Sequence, residues 1–590
     1  MVKKITVILL SVFIPFHICY AQPRQLSLHL ELSGKIINAG DQQPLPYANI
    51  YNYSSKKGTI SNENGDFTIA IQSLNDTIVI SYTGFITRQL SALEIRKQKI
   101  VALSFATTLL DEVTVLADNS FLYEMIASCK KKPHIKPDTA KTYFSLNTFI
   151  GNKEVEMLEA YYNGIFSGYD VNDILLKNGR LAFVKYDNTS FLSTETSKAV
   201  FMLKLFEKNK YLPRQPFEMT KKEMKKHYRL SLNKKYKNES NNPVYVIGFT
   251  PNDTSGKYFS GMTWIDSISK NIIKINLSLR NSSVHPFLPL WPSDSIGKVN
   301  MDITETFTIK NDKAYFEHID FNYSMEYMNR EKKPYTIKTN AVLFAYDYES
   351  HFILPGLTDS RNYLSDYRKI EAAPYNSFFW KYNNEPSLPE QKTKNELFFS
   401  QPETIYNSKD IKYFTHDPYH RNFFEAPYIH WNGDRICFIY QPKDSISNIA
   451  KKEEFVNAPA TLYELKVHLY LDVNYYKDSL HVFTATVFDP YESFYKYPID
   501  TLANCFLNIY FDLMEIQRRE LDSEIKKPGI TQQQVVLLYH ERKKKMESLS
   551  KTFFRECERG KNRKELLKWN NYVKEKLGID NLKTFGIHDN

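Results

Sequence analysis

Between Lys141 and Tyr346 one pattern recurs: runs of strand-forming residues, each closed by a short polar turn. Val244-Tyr245-Val246-Ile247-Gly248-Phe249 is followed by Phe259 to Asp266 and by Ile272 to Leu277. Asp302 to Ile309, Ala314 to Tyr323 and Thr336 to Tyr346 continue the series. Val, Ile, Tyr and Phe suit a pleated, half-buried surface. Turns this short return the chain antiparallel to itself, so the segment predicts an antiparallel meander. Composition agrees, since 41 Tyr and 39 Phe stand against only 19 Gly. At 590 residues the chain is too long for one core. Its 42% hydrophobic and 24% charged residues argue against wholesale disorder. A mean hydropathy of −0.46 argues against a bundle of membrane-spanning helices.

Residues 1–21 read as a signal peptide. Lys3 and Lys4 give a basic start, Ile5 to Ile18 is mostly apolar but too short to span a bilayer, and Cys19-Tyr20-Ala21 ends it with small residues where signal peptidase reads. Cleavage between Ala21 and Gln22 leaves 569 residues, 590 less 21. Ile18 is the wrong residue before Cys19 for a lipidation signal. No later segment offers 18 uncharged apolar residues. The expected location is the periplasm or the periplasmic face of the outer membrane. Cys129, Cys437, Cys505 and Cys557 remain, far apart and without CxxC spacing. Four cysteines allow three pairings, and unpaired buried thiols are an equal alternative.

Residues 32–117 alternate short β runs with turns. Gly34-Lys35-Ile36-Ile37 opens a strand, Tyr47 to Tyr51 follows Pro44-Leu45-Pro46, and Thr77 to Tyr82 ends at Gly84. Asn64-Gly65 is a strong hairpin signal because both residues tolerate positive φ. Leu110 to Val115 reads as the closing strand. So many strands in about 85 residues predict a β-sandwich. Taken together, Pro44-Leu45-Pro46-Tyr47-Ala48-Asn49-Ile50, Gly58-Thr59, Asn64-Gly65-Asp66-Phe67, Tyr82-Thr83-Gly84-Phe85 and Leu110-Asp111-Glu112-Val113 resemble the carboxypeptidase-like regulatory domain. That family is a transthyretin-like β-sandwich at the front of many Bacteroidetes envelope proteins. The resemblance implies a folding or docking module in an exported envelope protein. It does not imply a peptidase, because the domain carries no zinc ligands itself.

Residues 118–139 read as a helical connector, with Phe121, Met125 and Ile126 about one turn apart. Residues 140–350 form the antiparallel β domain. Within it, Phe259-x-Gly261-x-x-Trp264-Ile265-Asp266 followed by Ile272 to Ile275 is similar to a hairpin of periplasmic lipoprotein-carrier-like half-barrels. That resemblance implies a curved sheet with a concave apolar face, whereas the residues themselves are met as well by a plain sheet with a filled core. Residues 351–408 lose periodicity and read as an irregular linker, anchored by Phe378-Phe379-Trp380. Residues 409–500 form a later β unit, and 501–590 a basic helical tail. In the tail Pro528-Gly529 breaks the first helix, Thr531 and Gln534 have capping-box spacing, and Asn562 to Gly578 delimits a third helix. The expected fold class is thus mainly β and multidomain: N-terminal β-sandwich, central antiparallel sheet, later β unit and C-terminal α-helical tail. An ending on helices argues against an outer-membrane barrel.

Chemistry is harder to read. His416, His420 and His430 fall close together, but Pro418 opposes a helix through them, so no metal is assigned. His468 and His481 lie on facing strands near Asp472 and Asp489, where a one-residue slip in register reverses which face they share. Glu515 and Arg519 have the spacing of a helical ion pair. The net charge is +10. From Leu513 onward 18 Lys and Arg face 12 Asp and Glu, and the run Glu541-Arg542-Lys543-Lys544-Lys545 presents a basic helix surface. That surface is the expected contact with an anionic membrane or an envelope partner. Nucleic-acid patterns, P-loop, GxSxG, HExxH and dinucleotide glycines are all missing. The expectation is a non-enzymatic docking or scaffold protein with no catalytic residues, no metal and no cofactor. The alternative is a ligand or lipid carrier, or a hydrolase, using the concave face of the central sheet.

Overall fold

Most of the period-two runs become strands in the computed structural model, which describes residues 30–106, 119–129, 137–185, 193, 196–238, 241–289, 292–356, 367, 369–370, 373–383, 395–398, 405–406, 428–436, 463–476, 479–489, 493–495 and 500–588. Residues 1–21, Leu110 to Val115, His416, His420 and Cys437 lie outside the described residues.

The first module pairs β1 (Leu30–Asn38), β4 (Asp66–Ile71) and β7 (Ile100–Leu103) in one sheet. β2 (Asn49–Asn52), β3 (Lys57–Ile60), β5 (Thr77–Ser81) and β6 (Arg88–Ser91) form the other. Leu32, Ile36, Ile50, Phe67, Ile78 and Ile80 alternate inward to fill the space between them. Gly65 turns β3 into β4 at φ 78°, as Asn-Gly requires. A helix absent from the sequence reading, α1 (Ala92–Gln98), is inserted before β7. Ser91 caps it and Glu94 closes the capping box.

The central body begins with α2 (Ser120–Cys129), β8 (Asp138–Ile150), β9 (Lys153–Ser167) and β10 (Asp170–Phe183). It continues through α3 (Thr196–Met202), α4 (Lys221–His227), β11 (Tyr228–Lys237), β12 (Pro243–Pro251), β13 (Ser260–Asp266), β14 (Ile272–Ser282), β15 (Ser295–Lys310), β16 (Lys313–Met328) and β17 (Pro334–Asp347). The meander β11 to β17 is followed in the sheet by β8, β9, β10 and the short β18 (Ile405–Tyr406), eleven strands in all. Strand β8 therefore pairs with β17, the last of the meander.

The sheet is curled. Phe166 of β9 stacks on Phe316 of β16 with centroids 4.7 Å apart, although two strands separate β9 from β16. In a flat sheet three strand spacings amount to about 14 Å. The Tyr169 hydroxyl likewise accepts the backbone N–H of Ile272 at 3.0 Å from the far side of the sheet. The concave side is packed with Phe144, Tyr162, Phe249, Phe307, Phe321 and many more buried residues, and α2, α3 and α4 contribute Ile126, Val200 and Met224 to the same cluster.

The late unit is a sheet of β19 (Ile429–His430), β22 (Ser479–Phe488) and β21 (Val467–Tyr476), beside the two-stranded pair β20 (Tyr463–Glu464) and β23 (Phe494–Tyr495). One face packs on α6 (Thr501–Ile525), α7 (Gln532–Cys557) and α8 (Arg563–Leu577), followed by the short α9 (Asn581–Thr584). The expected caps form: Thr531 and Gln534 make a capping box, Asn562 caps α8, and Gly578 ends it at φ 74°. Glu515 bonds Arg519 at 2.9 Å, and also Arg518. The basic run on α7 is divided between two faces, with Lys544 and Lys545 exposed. Arg542 turns inward and is buried, bonding Gln517 at 3.1 Å and pairing with Glu520 and Glu524, because a helix sweeps consecutive residues around its axis and one of them meets α6. Cys505 and Cys557 are buried free thiols, and Cys129 is buried in the core of the central body.

Candidate functional site

The convex face of the central sheet carries the polar chemistry. Along β16 the residues Ile319 and Phe321 point into the concave core, so Asp320 and Asn322 point out. Just before them the register breaks: Thr306 pairs with His318 but Phe307 pairs with Phe316, leaving Glu317 as the extra residue of a β-bulge. A bulge re-aims a side chain, and here it sets Glu317 beside His318. His318 Nδ1 lies 3.7 Å from Glu317 Oε1, and Thr308 Oγ1 donates to Glu317 Oε2 at 2.7 Å.

The β-sandwich closes over this row. Tyr47, held in the left-handed region at φ 60°, places its ring 5.6 Å from the His318 ring and its hydroxyl against the Asp320 carboxyl. Asn322 donates to both oxygens of Asp320, at 3.0 and 2.9 Å. Burial pushes the Asp320 pKa up to about 7. The hydrogen bonds from Asn322 and Tyr47 and the charge of Lys274 oppose that rise, whereas Glu63 adds to it. Burial would also raise Glu317, but the hydrogen bond and charge of His318 and the bonds from Thr308 and Asn49 hold it below the usual range. The Tyr47 hydroxyl is held well above its ordinary value by burial and by Asp320. Two carboxyl groups on one strand are thus driven in opposite directions, the arrangement that lets one stay charged while the other stores a proton.

Two clefts flank this junction. One, of about 600 Å³, is lined by Tyr51, Lys56, Lys310, Tyr315 and Tyr348. The other, of about 660 Å³, is lined by Tyr82, Phe85, Tyr236 and Lys274. Thr308 and Glu317 line both, so the bulge stands between the two clefts.

A second junction lies at β10. There Leu176 pairs with Tyr162 and Asn178 with Tyr161, so Lys177 is the extra residue of another bulge. Its ammonium meets Asp472 of β21 at 2.5 Å, Ile353 O at 2.7 Å and Val473 O at 2.9 Å. The side chains are 1% and 0% exposed. Nearby, Arg180 pairs with Glu159 at 2.6 Å and lies over the Trp380 ring at 4.2 Å. Trp380 belongs to α5 (Ser377–Tyr382), so Phe378-Phe379-Trp380 does anchor its segment.

The residues singled out in the sequence do not converge. His430 pairs in β19 with Val487. His468 bonds Asp489 at 3.0 Å, and His481 stacks on Phe378 at 4.1 Å. Because Asn474 pairs with His481, the two histidines share a face, but they sit at opposite ends of the hairpin, about 20 Å apart at strand rise. Among the described residues no group of three His, Cys, Asp or Glu could hold a metal ion. No described helix is long and apolar enough to cross a membrane. Sequence reasoning missed Glu317, His318 and Asp320. The available signal was three ionisable residues in four positions of an otherwise aromatic and aliphatic strand.

The fold defines a mainly β, multidomain protein. Within it residues 32–115 match the CarboxypepD_reg-like domain family, which is the family expected from the Asn64-Gly65 and Tyr82 to Phe85 motifs. No curated protein matches the chain. Among solved structures, a LolA superfamily protein from Nitrosomonas europaea is 11% identical, covering 38% of this chain and 94% of its own, with a TM-score of 0.15. A putative outer membrane lipoprotein-sorting protein domain from Vibrio parahaemolyticus is 11% identical over 40% of this chain and 95% of its own, with a TM-score of 0.13. MucB, solved in complex with MucA, is 7% identical over 40% and 100%, with a TM-score of 0.14. Overlaps this slight define neither fold nor activity.

Proposed function

We propose that this chain is a non-enzymatic protein of the cell envelope, a scaffold that docks an outer-membrane or periplasmic partner. One observation carries the reading: both faces of the central sheet are already engaged within the chain. The concave face is packed by its own aromatic residues and by α2, α3 and α4. The convex face holds the β-sandwich through Tyr47 and the late β unit through Lys177. A carrier needs a vacant apolar hollow, so this packing favours a built assembly of modules over a lipid carrier. The CarboxypepD_reg-like domain at residues 32–115 and the basic, apolar start of the sequence support an exported scaffold.

Native mass spectrometry of protein recovered from the envelope fraction tests both halves. The expected species begins at Gln22 and carries no lipid adduct. A chain with Met1 intact in the cytosol would sink the location, and a one-to-one lipid adduct would favour the carrier.

A further inference from the structure

An antiparallel meander sorts its connections onto two ends. The β12–β13, β14–β15 and β16–β17 connections lie at one end, and the β11–β12, β13–β14 and β15–β16 connections at the other. The β-sandwich sits toward the second end, where Lys310, at the β15–β16 turn, lies 5.8 Å over the Tyr51 ring. The first end carries a different surface.

The described part of its β14–β15 connection is held from within at both ends. Phe287 is buried with its ring 4.2 Å from Tyr323, Tyr327 donates to Asp294, and Ser282 Oγ donates to Gly256 O at 2.7 Å. Yet the next residue, Leu288, stands 80% exposed, the most exposed large apolar side chain among the described residues. The buried ring of Phe287 fixes the backbone from which that exposed leucine projects. On one side of it are exposed Lys226, at the end of α4, whose carbonyl accepts a 2.9 Å hydrogen bond from the Asn252 side-chain amide, and exposed Lys257. On the other side are exposed Lys332 and Lys333. Two strand spacings, about 10 Å, separate the loop from each neighbouring connection. Acidic groups in these connections are Asp253, which is engaged by Ser255 N at 2.8 Å, the buried Asp294, and Glu331.

We propose that this end of the central sheet docks on an anionic lipid surface, with Leu288 entering the boundary between head groups and acyl chains and the flanking lysines meeting lipid phosphates. A single apolar insertion or a few lysines alone bind a membrane only marginally, whereas the two together add. The site differs from the basic α7 run expected from the sequence, where Arg542 is turned inward. It rests on the envelope reading only for the presence of lipid in the protein's surroundings.

Flotation of the mature full-length chain with vesicles of phosphatidylcholine, with and without roughly 30% phosphatidylglycerol, tests it. The parent should float with the anionic vesicles and lose that binding as salt rises from about 0.05 to 0.5 M. L288D should lower the bound fraction about tenfold, as expected for losing one inserted leucine, and L288W should retain it. K257E/K332E should abolish the preference for anionic lipid, and K544E on α7 should change nothing. Since Leu288 and these lysines are exposed, circular dichroism should be unaltered in every variant. A parent that does not float, or an L288D that floats like the parent, overturns the proposal. Loss through K544E rather than K257E/K332E would assign the contact to α7 and overturn it equally. A lipid-free scaffold in the native mass measurement leaves this result unaffected, so the two readings fail separately.

Discussion

The central sheet joins its two neighbours through chemically different junctions. At β10 the three protons of the Lys177 ammonium meet three acceptors, from Asp472, Ile353 and Val473, and Asn376 donates to the remaining Asp472 oxygen at 2.8 Å. At β16 the joint is a tyrosine against a carboxyl group that titrates near neutrality, with an open cleft on either side. Both grow from a one-residue bulge that directs a charged side chain to the convex face. The difference lies in satisfaction. A saturated buried ion pair fixes the late β unit, whereas the Asp320 junction holds only as firmly as its proton allows.

Breaking the first junction should have the largest effect. K177M leaves Asp472 as an uncompensated buried charge and should cost about 3–5 kcal/mol in denaturant unfolding. K177M/D472L removes both charges and should recover more than half of that loss, since apolar replacement of a whole buried pair is often close to neutral. Equal losses in the single and double variants would show that the pair is packing, not electrostatics.

The second junction should respond to pH instead. Asp320 is raised in the folded protein, to about 7 from an ordinary value of 3.8. The folded state therefore holds this proton more tightly than the unfolded state. The resulting stabilisation is complete below about pH 4 and is lost as pH rises through 7, by up to about 4 kcal/mol. Amide exchange in β2 and around Tyr47 should accelerate over that range, and D320N should flatten the profile. Glu156, also raised by burial, contributes with the same sign to whole-chain stability, so the local readout and the difference between parent and D320N are decisive. Y47F comes next in size. It removes one hydrogen bond to Asp320, should cost about 1 kcal/mol in junction exchange, and should move the Asp320 midpoint upward, because that bond favours the charged form.

These two junctions also mark where the sequence stops being readable. The strands of the meander, the Asn64-Gly65 turn and the Thr531 and Asn562 caps are local, and each follows from side chains within a few residues. The bulges at Lys177 and Glu317 are not local. One added residue alters neither composition nor hydrophobic period enough to notice, and its effect appears only against the partner strand. The β8–β17 pairing joins Leu146 to Ala341, and Lys177 meets a residue of the late hairpin. Nothing in a linear pattern encodes such distances. Arg542 shows the same limit: its charge is visible in the sequence, but its partners Glu520 and Glu524 across the bundle are not.

The smallest effect is the sharpest test of what sets the second junction. Two distant charges act on Asp320 in opposite senses: Glu63 raises its pKa, and Lys274, which lies over the Tyr82 and Trp264 rings at 5.0 and 5.5 Å, lowers it. Neither is the main cause, which is burial. E63Q should therefore shift the midpoint of the junction's pH profile downward and K274Q upward, each by roughly half a pH unit or less, since partly solvated charges interact weakly. Added salt should shrink both shifts while leaving the midpoint of the parent near neutrality. If either substitution moved the midpoint by several units, the proton would be governed by long-range charge and the burial account would be wrong. If both moved it in the same direction, Asp320 would not be the group that titrates. Opposed, small and salt-sensitive shifts would leave the buried carboxyl beneath Tyr47 as the source of the pH response, and would separate it from the Lys177 pin, which neither substitution touches.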